Sequence, residues 1–209
     1  MRKAFVPIYF LLDIKEFHLV QCSFSLDDQI DFAKLSGDFN PVHVDSVKAR
    51  RMHFGHPVVH GLHALLWALE TLVAPKSDLL KLVSLKTYFN QSIGLGEIVQ
   101  FILKNEDETC AEIQLLSGSE QVARIVVSYL PRENEEELSF PNSNPASGEC
   151  LDRNPEQLAN ATGSLDLCLS QKETTHRFPN LMRVFPSSQL AELMALTRLV
   201  GMECPGLHS

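Results

Sequence analysis

Gly61-Leu62-His63-Ala64-Leu65-Leu66-Trp67-Ala68-Leu69-Glu70-Thr71-Leu72-Val73-Ala74 is the stretch on which the fold turns. Its Leu, Ala, Trp and Val side chains fall on all sides of a helical wheel, and Pro75 stops it. A helix apolar all round belongs in an interior. The period then changes. Leu82 to Phe89, Glu97 to Lys104, Thr109 to Leu116 and Gln121 to Leu130 have strand character, with Gly94/Gly96, Asn105-Glu106-Asp107 and Gly118-Ser119 as the turns between them. One long buried helix followed by an antiparallel meander is an α+β layout.

Upstream of the helix, Glu16 to Phe24 alternates loosely and reads as a first strand. Ser25 with Asp28 three residues on is a helix-capping pattern, and Leu26, Ile30, Ala33 and Leu35 keep helical spacing up to Leu35. Ser36-Gly37-Asp38-Phe39-Asn40-Pro41 ends that helix. Pro41 to Val58 is polar and irregular, with a short helix expected around Ser46 to Met52.

Downstream, residues 131–164 read as a polar linker. An acidic run from Glu133 to Glu137 precedes the turn-forming Pro141 to Gly148 segment, and neither has apolar periodicity. Order resumes near Leu165, and Ser187-Ser188 looks like the cap of a helix through Leu190, Leu193, Met194, Leu196, Leu199 and Val200. Cys204-Pro205-Gly206-Leu207-His208-Ser209 lines up with His56-Pro57-Val58-Val59-His60-Gly61, which suggests an internal repeat. The organisation expected is a complete domain over 1–130, a linker over 131–164 and an incomplete second copy over 165–209.

Composition narrows the function. In 209 residues, Lys plus Arg number 18 and Asp plus Glu 26, for a net charge of −8, with no basic run to follow a phosphate backbone. A nucleic-acid partner is not expected. No apolar run reaches the length of a membrane span, and Ala4 to Leu12, behind Arg2 and Lys3, contains Pro7 and lacks a small-residue cleavage site, so neither a membrane anchor nor a signal peptide is expected. The 5 cysteines are scattered without a Cys-x-x-Cys pair, which fits a reducing, cytoplasmic setting.

Five of the 8 histidines lie between His43 and His63, so chemistry is expected there. Asp38 and His43 bracket Phe39-Asn40-Pro41-Val42, a linking segment stiffened by Pro41. A carboxylate and an imidazole on one rigid loop can share a water, one taking its proton while the other donates to the neighbouring carbon. His60-Gly61 opens the apolar helix, where unpaired backbone N–H groups point at whatever sits there and Gly admits close approach. A thioester carbonyl at that spot would find an oxyanion donor in the Gly61 N–H. His53, His56, His60 and His63 have helical spacing, but Pro57 interrupts it and no His-Glu-x-x-His or nearby Cys is present, so no metal is expected. Gly94-x-Gly96 sits between strands and is no dinucleotide loop, and no Gly-x-Ser-x-Gly elbow occurs.

The ordered string Phe32-Ala33-Lys34-Leu35-Ser36-Gly37-Asp38-Phe39-Asn40-Pro41-Val42-His43-Val44-Asp45, with Ala49, Phe54 and Pro57-Val58-Val59-His60-Gly61, resembles the hydratase motif of the MaoC-like dehydratases, the (R)-specific or type-2 enoyl-CoA hydratases. A looser resemblance runs from Glu16 to Leu130. It implies a hot-dog fold, an antiparallel sheet wrapped around the Gly61–Ala74 helix, and reversible hydration of a trans-2-enoyl thioester to the (3R)-hydroxyacyl product. By position in the motif, Asp38 and His43 match the catalytic pair, Gly61 the oxyanion donor and Asn40 the position that supports the pair; Asn40 and His60 are also expected to bind substrate. The resemblance implies no redox cofactor and no metal, with the substrate carried on CoA or an acyl carrier protein. It also implies pairing of two hot dogs, as a homodimer or within one chain. The segment before Cys204 has no counterpart of the Asp38–His43 string, so one active site is expected. A non-catalytic thioester-binding or dimerisation module and a hot-dog thioesterase remain as alternative readings.

Overall fold

The computed structural model describes residues 18–76, 78–133, 139–148, 150, 151, 153, 155–159 and 162–203. Ala4 to Leu12, Glu16 and Phe17, most of the acidic run, and the Cys204–Ser209 arm of the suggested repeat lie outside these residues.

Strand β1 (His18–Cys22) leads into α1 (Leu26–Ser36), and the short helices α2 (Pro41–Val44) and α3 (Ser46–Ala49) precede the central helix α4 (Gly61–Ala68). Helix α4 widens into a π turn over Leu69–Val73 and tightens to a 3-10 turn over Ala74–Lys76, where Pro75 ends it. Strands β2 (Leu80–Phe89), β3 (Val99–Glu106), β4 (Cys110–Ser117) and β5 (Glu120–Pro131) complete a five-stranded sheet in the order β1-β3-β4-β5-β2. Every pairing in it is antiparallel. This is the α+β hot-dog arrangement. Alternate residues of β3 to β5, among them Phe101, Ile113, Leu115, Ile125 and Val127, join Ala64, Leu65, Leu66, Leu69, Leu72 and Val73 in one core. Trp67 packs on Phe101 with ring centroids 4.6 Å apart.

Local chemistry fixes both ends of α1. Ser25 Oγ accepts from the Asp28 N–H and the Asp28 carboxylate accepts from the Ser25 N–H, a reciprocal capping box. At the other end Gly37 adopts φ 80° and its N–H donates to the Ala33 carbonyl. A Cβ there would stand 2.7 Å from Arg198 Cδ and 2.8 Å from Pro145 Cγ. Replacing Gly37 with Ala is therefore expected to destabilise the fold by about 1–2 kcal/mol, from left-handed strain before any clash is counted. A lowered urea midpoint with an unchanged slope would record it.

After the sheet, α5 (Pro155–Leu158), α6 (Gln171–Arg177), α7 (Pro179–Val184) and α8 (Ser187–Arg198) follow, and α8 ends in a π turn over Leu199–Glu203. Ser187 is the first residue of α8 and its N-cap is Pro186, so the serine cap expected from sequence is not made. The region expected to open a second copy is helical and, among the described residues, contains no strand. It packs onto the first domain: α8 lies against α1 and α4, and α7 against the turns that end α4. Phe178, Leu181, Val184, Phe185, Leu190, Ala191 and Met194 are part of the same core as the sheet. Part of the expected spacer is also engaged, since Phe140 packs on that core and the Leu151 N–H donates to the Met202 carbonyl.

Two polar devices hold this helical layer. Glu70, buried on the α4 π turn, accepts from the Asn180 N–H at 3.0 Å, the Asn180 Nδ2 at 2.8 Å and the Leu181 N–H at 2.8 Å, which are otherwise orphan donors at the start of α7. Gln189 on α8 pairs its amide with the free edge of β2, accepting from the Leu82 N–H at 2.8 Å and donating to the Leu82 carbonyl at 2.9 Å. No disulfide joins Cys22, Cys110, Cys150 or Cys168. No helix among the described residues is long and apolar enough to cross a membrane.

Candidate active site

The loop after α1 is built by side chains that satisfy their own backbone. Ser36 Oγ donates to the Phe32 carbonyl and accepts from the Asp38 N–H. Asn40 is the N-cap of α2, its Oδ1 accepting from the Val42 N–H at 3.0 Å, and Pro41 fills the first helical position, where no N–H is needed. Asp38 and His43 are thereby held on one short, rigid unit. The Asp38 Oδ1 accepts from the Asn40 N–H at 3.2 Å, and His43 Nδ1–H donates to the Val58 carbonyl at 2.9 Å. That bond fixes the imidazole tautomer and puts the lone pair on Nε2.

His60 lies behind the pair. Its ring stacks on His43 with centroids 3.9 Å apart, Nε2–H donates to the Asp38 carbonyl at 2.9 Å, and Nδ1 lies 2.9 Å from Gln29 Oε1, which also accepts from the His60 N–H. Burial, with His43 nearby, holds the His60 pKa well below the ordinary histidine value. His63, one turn on, stacks flat on Phe32 at 4.6 Å, and burial holds it neutral in the same way.

Burial pushes the Asp38 carboxyl up to about 6, against hydrogen bonds from the Asn40 N–H and the Thr197 hydroxyl that favour its ionised form. A carboxyl poised there exists in both protonation states near neutrality, as acid–base work requires.

Asp38 and His43 open onto a cavity of about 530 Å³ that Gly61 also lines. Apolar walls come from Leu62 and Leu65 of α4, Leu85 of β2, and Leu193, Leu196 and Val200 of the α8 segment. Thr87 Oγ1 is a buried polar atom on this wall without a hydrogen-bond partner among the described residues. Phe89 covers Gly61 closely, so that a Cβ on Gly61 would stand 2.6 Å from Phe89 Cζ.

The structure thus brings Asp38, His43 and Gly61 to one cavity, as expected. As substrate-binding residues Asn40 and His60 are placed differently: both have zero exposure and do not line the cavity, and Asn40 instead supports Asp38 through its N–H. Asn40 Nδ2 donates to the Gly201 carbonyl at 2.9 Å, and both His60 nitrogens face protein oxygens, so the two hold the loop and do not present a polar group to substrate. The reason is depth: each sits one layer behind the cavity wall. Gln29, Thr197 and Gly201 are site residues that the sequence reading missed. A polar Gln among the apolar positions of α1 was a usable signal, whereas nothing local marks Thr197 or Gly201.

Ligand atoms of Asp38, His43 and His60 lie within 4.8 Å of one another. The His60 nitrogens are turned to the Asp38 carbonyl and Gln29, so the Asp38 carboxylate and His43 Nε2 are left, fewer than the three or four protein donors of a usual zinc site.

Residues 16–114 match the family described as MaoC like domain. Those residues are a MaoC-like dehydratase domain. The match takes in the Asp38–His43 string and Gly61 and stops within β4, so the helices from α5 onward lie outside it. The chain is similar in structure to the (R)-hydratase of A. caviae involved in PHA biosynthesis, at 22% identity and a TM-score of 0.46 over 59% of this chain and 100% of that one. It is similar to the R-hydratase PhaJ1 of Pseudomonas aeruginosa in its unliganded form, at 22% identity and 0.46 over 65% and 92% of the two chains. A further similarity is to the C-terminally truncated HadBC (3R-hydroxyacyl-ACP dehydratase) complex of Mycobacterium tuberculosis, at 10% identity and 0.45 over 55% and 95%. No curated protein matches the chain.

Proposed function

We propose that the chain reversibly adds water to trans-2-enoyl thioesters, giving (3R)-hydroxyacyl thioesters. The supporting observation is that the Asp38 carboxyl, the His43 imidazole and the first residue of α4 line one largely apolar cavity. A water between the carboxyl and His43 Nε2 gives one proton to the imidazole as its oxygen bonds to C3. The C2=C3 electron pair moves toward the thioester, where negative charge develops on oxygen beside the Gly61 N–H. The protonated Asp38 carboxyl then delivers a proton to C2, and transfer from imidazolium to carboxylate restores the pair. Dehydration runs the same steps backward. Both groups act from one wall, so water adds syn.

The pair needs one proton in total in either direction. A bell-shaped pH profile is expected, and its two limbs belong to the coupled pair. The apolar walls fit the acyl chain, and the thioester is carried by CoA or a carrier protein. The same reading includes a second hot dog, in a homodimer or within one chain, seated on the outer side of β2, where Val83, Tyr88 and Phe89 are exposed.

The test is hydration of enoyl-CoAs of graded length, followed by loss of the conjugated-thioester absorbance, with chiral analysis of the product. Turnover to the (3R) product is expected, and His43→Ala should lower kcat/KM by about 10²- to 10⁴-fold. Release of free thiol from saturated acyl-CoA, or binding without turnover across all lengths, would refute the reading.

A further inference from the structure

The Asp38 carboxyl is not finished by the MaoC-like domain. Its Oδ1 is held from within the loop by the Asn40 N–H, but its Oδ2 accepts from the Thr197 hydroxyl at 2.9 Å, across 159 residues of sequence. Thr197 lies in the last turn of α8, well beyond residue 114, where the family match ends. One turn further on, Gly201 lies against the same carboxylate so closely that a Cβ at that position would collide with both Asp38 oxygens. The approach is locked by two more bonds, Asn40 Nδ2–H to the Gly201 carbonyl and the Phe39 N–H to Met202 Sδ.

A carboxyl group with one anchored oxygen can still turn about its terminal torsion, which has a broad, shallow profile. With both oxygens anchored, its plane is set. We propose that Thr197 is a positioning residue of the reaction, fixing the Asp38 carboxyl toward His43 and the cavity. The inference rests on the hydratase reading above and goes beyond it, because it assigns part of the acid–base machinery to the helical segment outside the family match.

The hydroxyl also has an electrostatic effect. It donates, so it favours the ionised carboxyl and opposes the upward push of burial. The titratable groups facing Asp38 are His43 from α2 and His60 from the start of α4. From α8 and its π turn the carboxyl meets only neutral groups among the described residues, Thr197 and Gly201, since Arg198 is turned to the Asp166 carbonyl and Glu203 to Arg153.

The experiment compares the wild-type chain with Thr197→Val, Thr197→Ala, Thr197→Ser and Asp38→Asn. It uses crotonyl-CoA hydration from pH 5 to 9 and ¹³C NMR titration of the Asp38 carboxyl. Losing a hydrogen bond to a charged group should raise the Asp38 pKa by about one pH unit. For a coupled pair the sum of the two limb pKa values moves by the same amount. Thr197→Val and Thr197→Ala should both show that rise, with kcat lowered about tenfold and KM little changed. Thr197→Ser should return to the wild-type profile. The Ala variant cannot overpack, so it carries the test if the Val variant is misfolded. A carboxyl titration unchanged in both variants would overturn the inference. Full activity of Asp38→Asn would overturn the hydratase reading instead, and the NMR titration still reports on Thr197 in that case.

Discussion

Asp38→Asn is expected to lose hydration of short enoyl-CoAs by about 10²- to 10⁴-fold while becoming more stable than the wild type at neutral and alkaline pH. The two effects have one cause. The residue is 2% exposed, and the desolvation that makes its carboxyl a usable acid also opposes its charge. In the unfolded chain Asp38 ionises near the ordinary 3.8, and in the fold near 6. Between these values unfolding releases a proton, so the folded state loses stability as pH rises through the window and does not regain it above. The span from 3.8 to about 6 corresponds to at most ~3 kcal/mol. Asn has no charge to bury and can still meet the Thr197 hydroxyl and the Asn40 N–H. Thermal unfolding of the two proteins should therefore coincide near pH 3, diverge between 3.8 and about 6, and differ by a constant amount above that, with Asn higher by about 1–3 kcal/mol. Equal stability at pH 8 would show that Asp38 is not strained by burial. Retained activity would remove it from the chemistry.

Glu70→Ala is expected to give the largest loss of stability, about 2–4 kcal/mol, because three donors on Asn180 and Leu181 would lose their acceptor inside the fold. For a chain of this size the melting temperature should fall by roughly 4–16 °C. Glu70→Gln keeps one carbonyl acceptor and should fall between. The consequence reaches the site, since α7 and α8 are consecutive and α8 carries Thr197 to Asp38. Hydration by Glu70→Ala should accordingly drop at temperatures where the sheet is still intact by circular dichroism. A melting temperature within a degree or two of wild type would mean that Glu70 does not secure the helical layer.

Much of the fold was legible because short-range rules governed it. Ser25 and Asp28 lie three residues apart and make their capping box with no help from the rest of the chain. The four strands after Pro75 and the turns between them stand where the sequence put them, but only β3, β4 and β5 form the expected meander, because β2 crosses over to pair with β5 and leaves β3 to pair with β1. The Asp38–His43 pairing was legible for the same short-range reason: four linking residues stiffened by Pro41 leave few ways to arrange the ends. Asn40 and His60 were misplaced because depth behind a cavity wall is not a local property. The helical region after residue 165 was expected to be the start of a second copy, and its sequence gave no sign of which surface it would cover.

By itself, then, the sequence determined the central helix, the β3-β4-β5 hairpins and the loop that presents an acid and an imidazole together, since each depends on residues within a turn or a strand of one another, whereas the β1–β3 and β2–β5 pairings are long-range. Only the tertiary structure decided how the acid is completed. The Thr197 hydroxyl and the Gly201 backbone reach Asp38 because α7 docks on Glu70 and α8 on the Leu82 edge of β2. Those bonds join residues more than a hundred positions apart, and a partner at that separation is chosen by the packing of whole layers, which no local pattern encodes.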